Sequence, residues 1–330
     1  MQQTIQISAV IPAYNAQKYI ARAIESILRQ SRPADEIIVV DDGSTDDTAA
    51  VVRSYGDKVR LISQSNGGAS AARNAGIRAA KGNWIAFLDA DDEWLPEFLE
   101  KHENLLKKNP FLVWSTANYI TCSCSEGQQS PFVAVSDAER YLKGSEVIDN
   151  YFLGAIKDLW GCSDTMMIRK DLFEEAGFFN TKLRKGEDLD TWWRIAYRHP
   201  QIGFIASPLA IYHLGVPNSG CKRTESIGYY AQLISQHLIL SQKFNRQCEF
   251  SLLACKMLRG WVRSMLFEAQ RENIRFLLKQ FKPLYPVWYV CLIWILTAFP
   301  KVTQAGCLLL SKIIRTLHLR RRVVLPPAKT

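Results

Sequence analysis

The stretch GNWIAFLDADDEWL, residues 82–95, decides the fold of this chain. Its apolar run WIAFL has no polar alternation, which is typical of a parallel strand covered by helices on both faces. The run ends in two acidic residues separated by one position, Asp89 and Asp91, and Asp92 follows them. Because side chains at i and i+2 of a strand point the same way, we expect the carboxylates of Asp89 and Asp91 to face one small volume.

The segments before this stretch alternate between strand and helix patterns. Apolar runs predict three earlier strands, and amphipathic or Ala-rich segments between them predict helices. The order βαβαβαβ predicts an α/β fold with a doubly wound, mostly parallel sheet, whose ligands gather at the carboxyl ends of the strands. The predicted strands are Gln6–Ile11, Glu36–Val40 and Val59–Ile62, and the helix before residue 82 is Gly67–Ala80.

The pattern changes further along the chain. Residues 118–144 are polar and predict a loop or a short hairpin, and only helix patterns follow Val216. We therefore predict a catalytic α/β domain over residues 1–216, an all-helical region over 217–282 and an apolar, basic helical tail over 283–330. The other predicted elements are a strand at Thr165–Ile168, a helix at Glu187–Tyr197 and a strand at Phe204–Tyr212.

Composition and charge narrow the class of protein. With 330 residues, 48% of them hydrophobic, the chain can bury a core and is not intrinsically disordered. The net charge of +9 is unevenly distributed. From Cys221 onward the chain has 18 Lys and Arg and 4 Asp and Glu, a net charge of +14, so the first 220 residues have a net charge of −5. A basic C-terminal third predicts an anionic partner, either nucleic acid or a membrane. Because its basic residues alternate with long aliphatic runs, we favour lipid and expect no nucleic acid.

The apolar segment at the start of the tail, together with Val302–Leu319 after it, predicts an interfacial or re-entrant helix pair. Residues 283–300 carry no charge, but Pro286 and Pro300 shorten the uninterrupted part below the roughly 20 residues that a spanning helix needs. Its Trp and Tyr side chains are typical of a headgroup boundary. The alternative is a helical hairpin packed on the catalytic domain. The N-terminus has no secretory signal pattern, so we expect a cytoplasmic protein that is peripheral on the inner face of the membrane.

The eight cysteines predict no disulfide framework. None of them is in CxxC spacing, and a chain without an export signal is expected in a reducing compartment. We therefore interpret the cysteines as free and mostly buried thiols.

The DxD at residues 89–91 predicts a metal site. Two carboxylates held together repel each other unless a cation or a proton lies between them, and Mg²⁺ or Mn²⁺ prefers such oxygen ligands together with phosphate oxygens. A DxD alone is weak evidence, because such residues also cap helices. Its position after a buried strand, at the expected ligand edge, favours the metal interpretation.

Four other groups of polar residues lie where the same edge is expected. Each also has a structural interpretation, as a turn, a helix cap or a core residue. Asp41 and Asp42 follow the second strand and could accept hydrogen bonds from a nucleobase or a ribose. A Gly-rich helix start suits phosphate oxygens. The groups are Pro12, Tyr14 and Asn15; Asp41 and Asp42; Asn66, Gly67, Arg73 and Asn74; and Glu187 and Asp188.

Together these motifs resemble family 2 glycosyltransferases with the GT-A fold, of the bacterial cell-surface glycan type. The resemblance covers about residues 8–212 and does not extend to the C-terminal third. It is carried, in the family's order, by IPAYNAQKYIARAIESIL (11–28), EIIVVDDGSTDDT (36–48), NGGASAARNAGIRAAKGNWIAFLDADDEWLP (66–96) and KGEDLDTWWRIA (185–196).

The resemblance implies an inverting transfer of a sugar from a nucleotide-diphosphate sugar to a glycan or lipid-linked acceptor. It implies that Asp42, with Asp41 beside it, contacts the base, and that Tyr14 in the Pro12–Asn15 turn stacks on it. It implies that Asp89 and Asp91 are the metal-binding DxD, Asp91 being the more direct ligand. Asp188 is implied as the catalytic base with Glu187 as its neighbour, and His213 is a further candidate for the metal or the diphosphate.

Other classes fit the sequence less well. A sugar-phosphate nucleotidyltransferase has a Gly-rich basic loop after its first strand, where this chain has PAYNAQ. A Rossmann dehydrogenase needs GxGxxG at that place. A processive synthase resembles the catalytic domain but adds spanning helices and a QxxRW signature, neither of which we find. A catalytically inactive carbohydrate-binding or scaffold protein is a further alternative, against which the intact Asp89, Asp91 and Asp188 argue.

Overall fold

The computed structural model describes residues 4–123, 128–216, 226–268 and 270–298. In these ranges the first two thirds of the chain contain both strands and helices, and the chain after residue 226 contains helices. The strands are β1 Ile7–Ala13, β2 Glu36–Asp41, β3 Arg60–Ser63, β4 Trp84–Phe87, β5 Glu93–Trp94, β6 Trp114–Ser123, β7 Gln128–Pro131, β8 Val147–Ile148, β9 Met167–Arg169 and β10 Ile202–Leu214.

Twelve α-helices lie in the described residues, and those of the first hundred residues alternate with strands as predicted. They are α1 Ile20–Leu28, α2 Thr48–Arg53, α3 Ala69–Ala79, α4 Phe98–Lys108, α5 Val135–Leu142, α6 Tyr151–Ala155, α7 Leu172–Ala176, α8 Glu187–Arg198, α9 Ile227–Lys243, α10 Gln247–Phe267, α11 Arg271–Gln280 and α12 Val287–Ala298. The polar residues 118–144 contain the β6–β7 hairpin that was one of the two expectations there. They also contain α5, which the sequence did not predict.

One sheet carries the strands in the order β3-β2-β1-β4-β9-β6-β10-β5, with β7 on β6 and β8 on β10. β1 to β4 pair in parallel, and β6 pairs in parallel with β10. The short β9 is antiparallel to both β4 and β6, so the long strands on its two sides run the same way. All seven residues of β1 are buried, as expected for a central strand with helices on both faces. The carboxyl ends of β1, β2 and β4 therefore meet at one edge.

The chain divides into two compact units. The first comprises residues 1–226 together with 236–249 and contains the sheet, and the second comprises 227–235 and the chain from Phe250 onward. No helix in the described ranges is both long enough and apolar enough to cross a membrane. The part of the predicted tail from residue 299 to 330 lies outside the described residues.

The described cysteines are free thiols, but the prediction that they are mostly buried was wrong for this set. Cys248 and Cys291 are exposed, and Cys122, Cys162 and Cys255 are only partly buried.

Gly76 lets α3 pack directly on the parallel strands. A Cβ atom at Gly76 would lie 2.3 Å from a Val10 methyl carbon in β1 and 3.4 Å from a Val40 methyl carbon in β2. Both valines are completely buried, so neither neighbour can move without disturbing the core. The helix can approach this closely only without a side chain at that position.

We expect Gly76→Ala to lower the free energy of unfolding by about 1–3 kcal/mol, because it overpacks a tight core. The matched control is Gly260→Ala in α10, where a Cβ atom would meet nothing within 4 Å. Alanine there is expected to be neutral or stabilising by up to about 1 kcal/mol, because glycine is a poor helix former. Urea unfolding of the two variants checks this, and equal stability of both would contradict it.

Candidate active site

The turns after β1 and β2 are bonded to each other at the carboxyl edge of the sheet. Asn15 donates its backbone N–H to Ser44 Oγ at 2.9 Å, and its Oδ1 accepts the N–H of Thr45 at 2.8 Å. Pro12 is buried within β1, whereas the Tyr14 side chain is 50% exposed. Among the residues of the predicted Pro12–Asn15 turn, Tyr14 therefore has an exposed ring, and Asn15 fixes the turn.

Asp42 is buried and holds the loop that follows β3. Its Oδ1 accepts from Gln64 Nε2 at 2.7 Å and from the Gly67 N–H at 2.9 Å, and its Oδ2 accepts from the Gly68 N–H at 2.7 Å. These bonds use three of its roughly four acceptor positions. By contrast, one bond is found for the Asp41 carboxylate, from the Ser44 N–H at 3.1 Å.

The glycines before α3, which were predicted to cradle phosphate, bond a carboxylate of the protein in this structure. The N–H groups of Gly67 and Gly68 are already bonded to Asp42, while Asn66 is exposed beside them. Asn74 also has a different role from the predicted ligand contact. Its Nδ2 donates to the Phe179 carbonyl at 2.8 Å and its Oδ1 accepts the Phe179 N–H at 2.9 Å, so both of its polar groups are used.

Arg73 joins two carboxylates from distant parts of the chain. Its side chain is almost completely buried and donates to Asp89 at 2.7 Å and to Glu187 at 3.0 Å. Burial alone would lower the pKa of Arg73, but Asp89 and Glu187 together raise it, so the guanidinium stays charged. The sequence predicted Arg73 as a phosphate contact. In the structure it is the cation that holds the end of β4 next to the start of α8.

The turn at residues 89–92 brings together a set of acids different from the predicted one. β4 ends at Phe87, and the Asp92 N–H bonds the Asp89 carbonyl at 3.1 Å, so the strand rule that paired Asp89 with Asp91 does not apply here. Instead, one oxygen each from Asp89, Asp92 and Asp164 lies within 4.8 Å of the others. Asp164 comes from a single 3₁₀ turn before β9 and has no recognisable motif around it.

Asp92 and Asp164 form the buried base of this cluster. Asp92 Oδ1 accepts the His213 N–H and Asp164 Oδ1 accepts the Asp89 N–H, both at 2.6 Å. Burial, followed by the charge of Asp91 for Asp92 and of Asp89 for Asp164, raises both pKa values well above the usual range. This pair is therefore better suited to holding the backbone of the turn. Asp89 and Asp91 are the more exposed acids.

His213 lies beside this turn, because it stands near the end of β10 and its backbone N–H bonds Asp92. Its Nε2 is 3.4 Å from Glu93, and its Nδ1 is buried, 3.6 Å from Asp92 Oδ1, with no hydrogen-bond partner. Burial, followed by the charge of Arg22, lowers the pKa of His213 and favours the neutral imidazole that can bind a metal. An unpartnered ring nitrogen next to several carboxylates fits a divalent cation that accepts both nitrogen and oxygen ligands.

Arg22 is a member of the site that the sequence did not predict. It projects from α1, and its guanidinium donates to the backbone carbonyl of Asp91 and lies 4.0 Å from Glu93. Its only signal in the sequence was its position as a charged residue between apolar residues of the α1 segment IARAIESIL, residues 20–28. It fixes the backbone of the DxD at Asp91.

Asp188 lies in the first turn of α8, next to Glu187. Burial is the main cause that raises its pKa to about 6, the charge of Glu187 adds to the effect, and Arg73 opposes it. Its Oδ1 accepts the Leu189 N–H at 2.7 Å. A partly accessible carboxyl group whose pKa is close to neutrality is suited to proton transfer.

Two partners of Asp190, the mostly covered Arg194 and the buried His237, fix the helix that carries Asp188. Arg194 donates twice to Asp190 Oδ2, at 3.0 and 2.8 Å, and also to the Gly177 and Phe178 carbonyls. His237 Nε2 lies 3.0 Å from Asp190 Oδ1. These bonds hold α8 two residues beyond Asp188, so the direction of the Asp188 side chain is set by the fold.

Comparisons with known proteins identify the class to which this fold and site belong. The model of the family described as "Glycosyl transferase family 2" matches residues 8–177, just over half of the chain. In S. aureus TarS 1–349 in complex with UDP, the fold superposes with a TM-score of 0.64 at 19% identity, over 92% of this chain and 89% of that one. The complex of the same protein with UDP-GlcNAc gives a TM-score of 0.66. The chain belongs to glycosyl transferase family 2, and its fold is of the GT-A kind.

Sequence relatives agree with this assignment. An uncharacterized glycosyltransferase of Rickettsia prowazekii is 33% identical over 192 residues, which is 57% of this chain and 58% of that protein. The putative teichuronic acid biosynthesis glycosyltransferase TuaG of Bacillus subtilis is 29% identical over 190 residues, 56% of this chain and 70% of that one. The chain thus matches little more than half the length of the Rickettsia relative. The predicted family and its doubly wound fold with a helical C-terminal region are confirmed.

Proposed function

We propose that this chain transfers a sugar from a nucleotide-diphosphate sugar to a hydroxyl of a glycan or lipid-linked acceptor, with inversion, in bacterial surface polysaccharide synthesis. The observation that carries the proposal is the placement of Asp188, with its raised pKa, on a helix that Arg73 joins to Asp89. This arrangement supports a base at Asp188 close to a metal and diphosphate site at Asp89. The relationship to TuaG supports the polysaccharide context.

The donor is proposed to bind along the carboxyl edge, with its base between Tyr14 and Asp41. Tyr14 offers an exposed ring for stacking, and Asp41 retains free acceptor capacity for an imide N–H or a ribose hydroxyl. Asp42 contributes by holding the neighbouring loop. Since TarS is described in complexes with UDP and UDP-GlcNAc, uridine nucleotides are the first donors to test.

A divalent cation, Mg²⁺ or Mn²⁺, is proposed to bind at Asp89 and Asp91, with His213 as a further ligand. When bound, such an ion neutralises the charge that develops on the leaving diphosphate. Arg73 keeps Asp89 in place, and Arg22 does the same for the backbone of Asp91. Asp92 and Asp164 support the turn from below.

Asp188 is proposed to take the proton from the attacking hydroxyl of the acceptor. One base is enough for a single displacement, which inverts the anomeric centre. Glu187 is bonded to Arg73, and we propose that it orients this cation and raises the basicity of Asp188. The protein is proposed to work as a peripheral protein at the inner face of the cytoplasmic membrane, where a lipid-linked acceptor would be present.

The activity should fall as the pH drops below about 6, because Asp188 acts as a base only when it is ionised and its pKa is raised to about 6. Glu187→Gln removes a charge that raises this pKa, so the acidic limb of the kcat profile should move to lower pH. Glu139→Gln on the exposed side of α5 is the control and should leave the limb unchanged. An acidic limb that stays in place in Glu187→Gln would contradict this role for Glu187.

The proposed function is tested by release of nucleoside diphosphate from a panel of nucleotide sugars with Mg²⁺, with Mn²⁺ or with EDTA. We expect release from one donor or a small group of donors that depends on the metal. The competing possibility is a carbohydrate-binding protein without activity. It predicts binding of a nucleotide sugar or glycan with no release from any donor, and that result would overturn the proposal.

A further inference from the structure

α12 of the second unit is apolar on every side and yet only half covered. Its sequence VWYVCLIWILTA contains no charged residue, and within the unit it buries Ile293 and Thr297. The opposite face is exposed, with Val287 at 78%, Trp288 at 65% and Ile295 at 61%. The exposed residues of this face are Val287, Trp288, Cys291, Leu292, Trp294, Ile295 and Ala298.

These seven side chains form one continuous surface. At about 100° per residue, they occupy a single sector of the helix, nearly half of its circumference. A helix that is apolar all round is normally buried, and soluble monomers rarely expose continuous apolar patches of more than a few hundred Å². An apolar partner is therefore required to cover this face.

The charges around α12 identify the kind of partner. The Arg275 guanidinium lies 4.6 Å from the ring centre of Trp294, and that of Arg259 lies 5.4 Å from the ring centre of Tyr289. At 100° per residue, Trp294 and Tyr289 border opposite edges of the exposed sector. Two cations thus flank the apolar face, one on each side.

The described part of the second unit is basic throughout. Seven basic residues stand against two acidic ones, Glu268 and Glu272; the basic residues are Lys256, Arg259, Arg263, Arg271, Arg275, Lys279 and Lys282. A second copy of this surface would bring like charges together. Residues 299–330 of this chain contain further basic residues and no acid, so they could not neutralise these cations either. Anionic lipid offers both apolar chains and negative phosphate groups.

We propose that the exposed face of α12 docks on a bilayer that contains anionic phospholipid. The 12-residue helix is about 18 Å long and too short to cross a hydrocarbon core of about 30 Å, so it lies in the plane of the interface. Trp288, Leu292 and Ile295 enter the boundary between headgroups and acyl chains, and Arg259 and Arg275 contact lipid phosphates. This inference rests on the proposed function only for the claim that the acceptor is found at that surface.

The test is flotation of the full chain with vesicles of phosphatidylcholine alone or with 30% phosphatidylserine, a composition giving roughly the anionic surface of a cytoplasmic leaflet. We expect flotation with the anionic vesicles, weakened by salt, and a blue shift of tryptophan emission. The double variant Trp288→Gln/Ile295→Gln should bind at least about tenfold more weakly. Interfacial binding needs both buried apolar area and attraction to anionic lipid, and this variant removes apolar area. Arg259→Gln should weaken binding to the anionic vesicles and leave any binding to the neutral vesicles unchanged.

Ile239→Gln is the matched control, because Ile239 is a similarly exposed isoleucine of α9, 63% accessible. It should bind vesicles like the unmodified chain. Absence of flotation, or equal binding to neutral and anionic vesicles, would overturn the proposal. So would sedimentation showing a dimer that the double variant abolishes, because a second copy would then cover α12. Nucleoside diphosphate release in solution separates the two proposals, since the double variant should retain it whether or not it binds vesicles.

Discussion

Replacing Asp188 with asparagine is expected to lower kcat by about 10²–10⁴-fold, the usual contribution of a general base. The affinity for nucleotide should change little, because the base contacts are proposed for Tyr14 and Asp41, at the ends of β1 and β2, whereas Asp188 lies on α8. Asparagine keeps an oxygen that can accept the Leu189 N–H, so the start of α8 should retain its conformation. Steady-state kinetics together with nucleotide titration measures both quantities on the same variant.

The control for Asp188→Asn is Asp137→Asn, which also neutralises an acid in the first turn of a helix but on the exposed α5. It should behave like the unmodified enzyme. Turnover of Asp188→Asn within threefold of the control would remove Asp188 as the base. Loss of nucleotide binding in the same variant would show that the substitution acts on the donor site.

Asp91→Asn is expected to raise the metal concentration needed for half-maximal activity by at least about 10–100-fold, the range found even for residues that only support a metal ligand. Burial, and then the nearby charge of Asp89, raises the pKa of Asp91, while the charge of Arg22 opposes this effect. The amide keeps the size of the side chain and removes its charge. Titration of activity with Mn²⁺ gives the shift, and Mn²⁺ binding followed by electron paramagnetic resonance gives it without any turnover.

Asp57→Asn is the matched control for the metal experiment, because Asp57 is an exposed acid in the 3₁₀ turn before β3. Its metal dependence should be that of the unmodified chain. If Asp91→Asn also keeps normal Mn²⁺ binding, the cation is held elsewhere, and the compact group of Asp89, Asp92 and Asp164 becomes the place to examine.

Much of the fold could be predicted because local patterns determine it. Uninterrupted apolar runs such as WIAFL predict buried parallel strands, and the order of strands and helices then leaves few topologies. The C-terminal strands β9 and β10 were also located, with boundaries shifted by two residues at most. The helix α5 was missed because the segment around it is polar and short, and its stability comes from the packing of Ala138 and Leu142.

The site was predictable only where a motif stands next to the strand that places it. The DxD and the acids after β2 were proposed in this way, because each follows a strand, whereas Glu187 and Asp188 were proposed from the start of a predicted helix. The partners of these acids were not predictable, because they are set by how distant segments meet. Arg73 bridges to Glu187 across 114 residues, and Asp164 reaches Asp89 across 75. No spacing rule in the sequence contains such pairs.

Two residues that were predicted to contact the ligand bond other groups of the protein in the structure. Gly67 and Asn74 were expected to meet phosphate because their residue types suit it. In the folded chain their polar groups are used by Asp42 and by the Phe179 backbone. Asn74 is buried, and a buried polar side chain must find partners, which the Phe179 backbone supplies within the protein. Residues such as Tyr14 and Asp41, which keep an exposed face or free acceptor capacity, are the better candidates for ligand contacts.

The most direct test of the central claim is the anomeric configuration of the sugar released when the chain hydrolyses its donor without acceptor, followed by proton NMR before mutarotation. One base at Asp188 and one displacement predict a configuration opposite to that of the donor. This signal should disappear in Asp188→Asn and persist in Asp137→Asn. A released sugar with the donor's own configuration would contradict the account, because retention requires a second displacement that this arrangement of Asp188, Glu187 and Arg73 does not provide.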